Sequence, residues 1–184
     1  MQQGVARTTE PAVTGSIQPA LLLLEKTPFL LETMLRDLPE DLLRWKPTPE
    51  RWSIAEVIGH LADIELIYAD RTRRIVTEDT PTLQKYDPTQ TVVIGDYVRG
   101  SATENLAFFT RTRRSTVILL RSIPADSAER EATHSELGTI TLHQMLCEWA
   151  SHDLGHLRQI AELYRARAFH PYAGPFQKYS NLKP

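Results

Sequence analysis

The chain has 184 residues, 41% hydrophobic and 24% charged, with a net charge of −2, enough for one domain with its own core and too nearly neutral to attract nucleic acid or anionic lipid in general. Its longest apolar run, Leu21 to Leu24, cannot cross a bilayer, and the opening residues lack the apolar stretch of a secretory signal. The lone cysteine, Cys147, cannot form an intrachain disulfide, which points to a cytoplasmic protein.

Residues 1–15 are polar and aperiodic, and they predict a mobile tail ahead of a domain spanning 16–170. A helical region is predicted from about Ile17 to Asp37. A break is expected at Thr27-Pro28, because proline lacks the amide that an inner turn needs. The connection Leu38 to Glu50, with Pro39, Pro47 and Pro49, has room for one helical turn. The second helix runs from Ser53 to about Glu78. Ser53 and Glu56 form a capping box there, and Trp52 and Val57 are spaced as a hydrophobic staple. Its apolar stripe is Val57, Leu61, Ile64 and Tyr68, with His60 on or beside it.

Residues 80–100 carry Pro81, Pro88, Gly95, Gly100 and a β-favouring run, Thr91 to Ile94; so long a loop suggests a lid or binding segment. The third helix is predicted from Ser101, with Glu104 completing a second capping box, to about Ser122, where Pro124 marks the stop. Ala125 to Gly138 reads as a polar connection carrying His134. The fourth helix starts at Thr141, boxed by Gln144, and ends before Pro171. Its stripe of Leu142, Met145, Leu146, Trp149, Ile160 and Leu163 is continued by His152 and His156, which turns both imidazoles inward. Cys147 reads as a small buried hydrophobe, and residues 171–184 as an aromatic, Pro-rich tail packing on the bundle. Four long helices with almost no strand signal make an all-α, antiparallel four-helix bundle.

The chemistry sits in the histidines. His152 and His156 are i and i+4 on one helix, so both rings can reach one point, and an inward His60 from the second helix can join them. The plainer reading is a set of core histidines satisfied by hydrogen bonds. Glu56, Asp63, Glu148, Asp153 and His134 are candidates to orient these rings or move a proton, although Glu56 is already used by its capping box. His143 is expected to face solvent. A zinc-protease motif does not fit, because Asp153 is one methylene short of the required Glu and Gln159 and Glu162 replace the extended motif's Gly and His. Arg-Thr-Arg-Arg occurs twice, at 71–74 and 111–114; these arginines suit solvated faces with ion pairs, or an anchor for an anionic thiol or a substrate carboxylate.

The block from Arg51 through His60 to Asp63 and the block from Trp149 through His152 and His156 to Ile160, with His134 and Gly138 between them, resemble the DinB/YfiT-like superfamily over residues 17–168. The resemblance implies a divalent metal, nickel or zinc foremost and manganese or iron next, on His60, His152 and His156. It also implies a homodimer and chemistry on a small molecule. That chemistry is either transfer of a low-molecular-weight thiol of the bacillithiol or mycothiol kind, or metal-dependent hydrolysis. Three protein ligands leave a coordination position open, as in catalytic sites. A non-catalytic bundle for binding or dimerisation, with a structural metal or none, is the alternative.

Overall fold

The computed structural model describes residues 16–86 and 101–180. The expected N-terminal tail, the Thr91 to Ile94 run with most of its loop, and the last four residues lie outside them. Among the described residues there are five α-helices: α1 (Gln18–Leu35), the short α2 (Glu40–Leu43), α3 (Ile54–Thr77), α4 (Ala102–Ser122) and α5 (Leu142–Tyr164). Both expected boxes at the histidine-bearing helices close reciprocally, Ser53 with Glu56 and Thr141 with Gln144. At α4 the Ser101 hydroxyl accepts from the Glu104 amide.

The long helices surround each other in the order α1, α4, α3, α5. Glu25 meets Arg121 while Glu32 meets Thr110, so α1 and α4 run antiparallel. His60 meets His152 while Tyr68 stacks on Trp149, so α3 and α5 are also antiparallel. Along α3 and α4, Glu65 faces Arg113 and Arg73 lies near Leu119, which makes that pair parallel. The two apolar clusters place Leu21 with Leu146 and Leu35 with Leu163, so α1 and α5 are parallel too. In chain order the bundle reads up, down, down, up. This refines the expected architecture, since each long helix has one parallel and one antiparallel neighbour.

Three short strands among the described residues qualify the all-α expectation. They are β1 (Thr82–Leu83), β2 (Glu131–His134) and β3 (Gly138–Thr141). β1 pairs parallel with β2, and β2 pairs antiparallel with β3, His134 opposite Gly138. The span read as a polar connection is thus a short 3-10 turn followed by a hairpin, and Gly138 closes it at φ 78°, a left-handed value that glycine adopts without cost.

Pro28 does not break α1. Proline removes the donor for the Leu24 carbonyl one turn earlier, and Arg113 supplies a replacement from α4, its Nη1 donating at 2.9 Å. Arg113 corrects a second expectation, that its Arg-Thr-Arg-Arg run is solvated. It is 1% exposed, its Nε donates to Glu65 at 2.6 Å, and its Nη1 and Nη2 donate to Asp153 at 2.6 and 3.3 Å. The guanidinium lies between the Phe109 and Trp149 rings, 4.8 and 5.0 Å from their centres. Burial works against its charge, but Asp153 and Glu65 outweigh that and hold its pKa above the ordinary arginine value. This one polar layer draws on all four long helices and separates two apolar clusters, one around Leu24 and Trp149 and one around Leu31 and Phe109.

Cys147 is exposed rather than buried, its Sγ 3.5 Å from His143 Nε2. The buried face of α5 is Leu142, Met145, Leu146, Trp149 and Ala150, which leaves Cys147 on the other side, while His143 is half-buried. After α5 a π turn leads into 3-10 segments, and there Tyr172, Phe176 and Tyr179 keep their rings exposed.

Candidate metal centre

The capping boxes fix where α3 and α5 begin, and so fix which way each later residue points. His60 sits two turns into α3, and α5 brings His152 and His156 opposite it. His60 Nε2 and His156 Nε2 each lie 3.2 Å from His152 Nε2, and the three ligand atoms fall within 4.8 Å of one another. Two nitrogens at ordinary zinc distances on a tetrahedral ion are separated by roughly 3.3 Å. The spacing present therefore fits a shared ion.

The protonation states fit as well, because a ligand imidazole must be neutral. Burial, with the neighbouring His156 and His152, pushes His60 down to about 3. Burial, again with His156, takes His152 down to about 4, and burial lowers His156. His156 Nδ1 lies 2.9 Å from Gln159 Oε1. An amide oxygen only accepts, so Nδ1 carries the proton and Nε2 keeps its lone pair for a ligand. One buried polar atom of the cluster itself, His152 Nδ1, has no partner among the described residues. Such orphans concentrate at sites that take a polar ligand or water.

Aromatic rings enclose the histidines. The half-exposed Trp52 ring lies 4.9 Å from that of His60 and stacks at 6.3 Å on His156. Tyr86 is 6.1 Å from His60, and Tyr68 is 6.3 Å from His152.

The histidines are less inward than their stripe predicts. His60 is buried, but His152 and His156 are half-buried at the stripe's edge, which continues through Asp153, Leu157 and Ile160. None of the five accessory candidates joins the cluster. Glu56 is engaged by Ser53 and by Lys46 at 2.9 Å. Asp153 belongs to the Arg113 layer. Asp63 is 2% exposed, and burial pushes its carboxyl up to about 6. His134, on β2, accepts at Nδ1 from the Glu136 amide. Glu148 is exposed, and both it and His134 line a neighbouring cavity. Sequence reasoning missed Gln159 as the partner of His156, although its i+3 spacing was a usable signal. It also assigned Trp52 to a staple, where the ring in fact lies against two imidazoles.

Comparison with known proteins agrees with this picture. The sequence profile of the DinB superfamily matches residues 23–160. A protein of Oceanobacillus iheyensis named "putative metal-dependent hydrolase" is 26% identical over 144 residues, covering 78% of this chain and 83% of its own length. YfiT of Bacillus subtilis, under the same designation, is 27% identical over 146 residues, covering 77% and 80%. The solved structure of that protein, described as a probable metal-dependent hydrolase with an unusual four-helix bundle topology, superposes with a TM-score of 0.74. At 22% identity, over 89% of this chain and 93% of that one, the likeness establishes the fold.

Proposed function

The chain belongs to the DinB superfamily, and on that footing we propose that it is a metal-dependent hydrolase of a small molecule whose ion is held by His60, His152 and His156. The observation that carries this is the convergence of three imidazole nitrogens, from two helices, on one point. Three imidazoles suit zinc or nickel, with iron next, whereas manganese prefers oxygen donors. When bound with three protein ligands, such an ion keeps a position free, acts as a Lewis acid and lowers the pKa of water.

The protein's own part is orientation and exclusion. Gln159 fixes the tautomer of His156, burial keeps all three rings neutral, and Trp52 covers one side of the cluster. Thiol transfer would use the same three ligands; hydrolysis is preferred because it is the designation of the curated relatives. A homodimer and a cytoplasmic setting complete the reading, supported by the sequence resemblance and by the lone cysteine.

Elemental analysis of tag-free protein, dialysed against zinc, nickel, manganese and iron, tests the site. About one ion per chain is expected, lost in both His60→Ala and His152→Ala. Full metal content in His152→Ala would refute the assignment. Loaded protein that turns over none of a panel of esters, amides and lactones would refute hydrolysis.

A further inference from the structure

Next to the histidines, between α3, α5 and the β2–β3 hairpin, is a cavity of about 410 Å³. Two of its wall residues, Tyr68 and Tyr86, also flank the metal centre, with rings 6.3 Å from His152 and 6.1 Å from His60. The two tyrosine rings thus stand between this cavity and the three histidines, which do not themselves line it.

Arg71 lines it. The side chain is half-buried, its Nη2 donates to the Gln84 carbonyl at 2.6 Å, and its guanidinium lies 5.9 Å from the centre of the Tyr68 ring. No carboxylate pairs with it among the described residues. Several other arginines have one, such as Arg73 with Asp70, Arg74 with Glu78, Arg113 with Glu65 and Asp153, and Arg121 with Glu25, while Arg130, like Arg71, donates to backbone carbonyls but does not line this cavity. Lys85, on the same wall, is 4.0 Å from Glu136, so those two charges answer each other. The exposed Glu148 carboxylate lies elsewhere in the same wall. What remains is a guanidinium held in place by a backbone carbonyl, partly out of water and facing a cavity, with no carboxylate in ion-pair contact among the described residues. That is the chemistry of a carboxylate anchor, because the planar fork donates two parallel hydrogen bonds to a carboxylate.

We propose that this cavity is the substrate pocket of the metal centre and that Arg71 binds a carboxylate of the substrate. The proposal rests on the metal-dependent reading above. It also sets a size. His60 and Arg71 are about three turns apart on α3, roughly 16 Å along its axis, and the Tyr68 ring stands between the two sites, 5.9 Å from the guanidinium and 6.3 Å from the His152 ring. An acetate-sized molecule cannot span that separation, whereas an acylated amino acid or a short peptide-like acid can. His134 sits in the same wall with Nδ1 accepting from the Glu136 amide, which leaves a neutral Nε2–H as a further donor.

N-benzoylglycine and its uncharged amide, N-benzoylglycinamide, are suitable probes, with one body and two charges. Each is titrated into metal-loaded and metal-free protein by calorimetry, with wild type, Arg71→Gln and Arg71→Lys in parallel. Wild type is expected to bind the acid at least about tenfold more tightly than the amide. Arg71→Gln erases that preference while keeping its metal, and Arg71→Lys retains part of it, since the charge stays and the fork is lost. Equal binding of acid and amide, binding of neither, or an acid affinity unmoved by Arg71→Gln overturns the proposal. A preference that depends on Arg71 in a protein taking up no metal would sustain the anion pocket and remove the hydrolase. Metal on the three histidines without any preference for the acid would do the reverse.

Discussion

Arg113→Met removes the guanidinium at the centre of the bundle and leaves two carboxylates, each no more than 1% exposed, without a counter-ion. Breaking a buried ion pair from one side costs about 3–5 kcal/mol. The Leu24 carbonyl also loses the donor that compensates for Pro28, adding about 1–3 kcal/mol. Methionine packs between Phe109 and Trp149 and returns part of this, so a net loss of about 4–6 kcal/mol is expected, against a typical total of about 5–15 kcal/mol. Urea unfolding followed by circular dichroism at pH 7 measures it. The sign of the pH effect is fixed. Burial raises the Glu65 carboxyl despite Arg113, and without Arg113 it rises further. A carboxyl raised in the folded state stabilises below its unfolded pKa and loses that contribution as pH climbs through the folded value. Lowering the pH from 7 to 5 should therefore recover part of the deficit. Adding Glu65→Met and Asp153→Leu, which makes the layer apolar, should recover at least half of it. A single variant within about 1 kcal/mol of wild type, or a triple variant no better than the single, would refute this account.

Three further outcomes follow from the centre. Gln159→Leu should weaken metal binding about 10–100-fold while leaving the metal-free melting temperature unchanged; competition with a chelating dye reads the affinity, and an unaltered value would remove Gln159 from the site. Asp63 has its carboxyl pushed up to about 6 by burial, so the aspartate's stability contribution is present near pH 4 and lost as pH rises through about 6. Asp63→Asn should accordingly be more stable at pH 8 by about 1–3 kcal/mol, with the advantage gone by about pH 4, and a variant less stable than wild type at pH 8 would contradict it. For the metal-free protein, His60 at about 3 and His152 at about 4 lie below the ordinary 6.5. Stability is then complete above that value and lost as pH falls toward the folded ones. The melting temperature should drop more steeply between pH 6.5 and 4 in wild type than in His60→Phe/His152→Phe, and parallel slopes would rule out the histidines as the cause.

What could be read from the chain was local, and what could not depended on partners far away in sequence. The two capping boxes and the spacing of His152 and His156 act within a turn or two, so they placed both histidine-bearing helices and brought His60 to the right neighbourhood. Nothing local separates Arg113 from Arg111 or Arg114, because Glu65 and Asp153 lie 48 and 40 residues away. Pro28 should have broken α1 by any local rule, and it does not because the replacement donor is on another helix. The strands are equally short-sighted, since β1 is held by β2 some fifty residues on.

Asp153 shows why the two kinds of information meet at this site. Adjacent to His152 in sequence, it invites a role beside the metal, but one residue of helix is about 100° of rotation, which turns it from the histidine edge into the core. There Arg113 binds it through two nitrogens. One turn of α5 therefore carries both a proposed metal ligand and a member of the layer that ties four helices together. Because His152 is fixed by its neighbour's ion pair, Asp153→Ala should loosen the metal centre even where the bundle stays folded. Metal affinity should then fall more than it does for Glu65→Ala, which weakens the same layer from α3, five residues beyond His60 rather than next to a histidine. Equal losses in the two variants would mean that the layer supports the centre only through global stability.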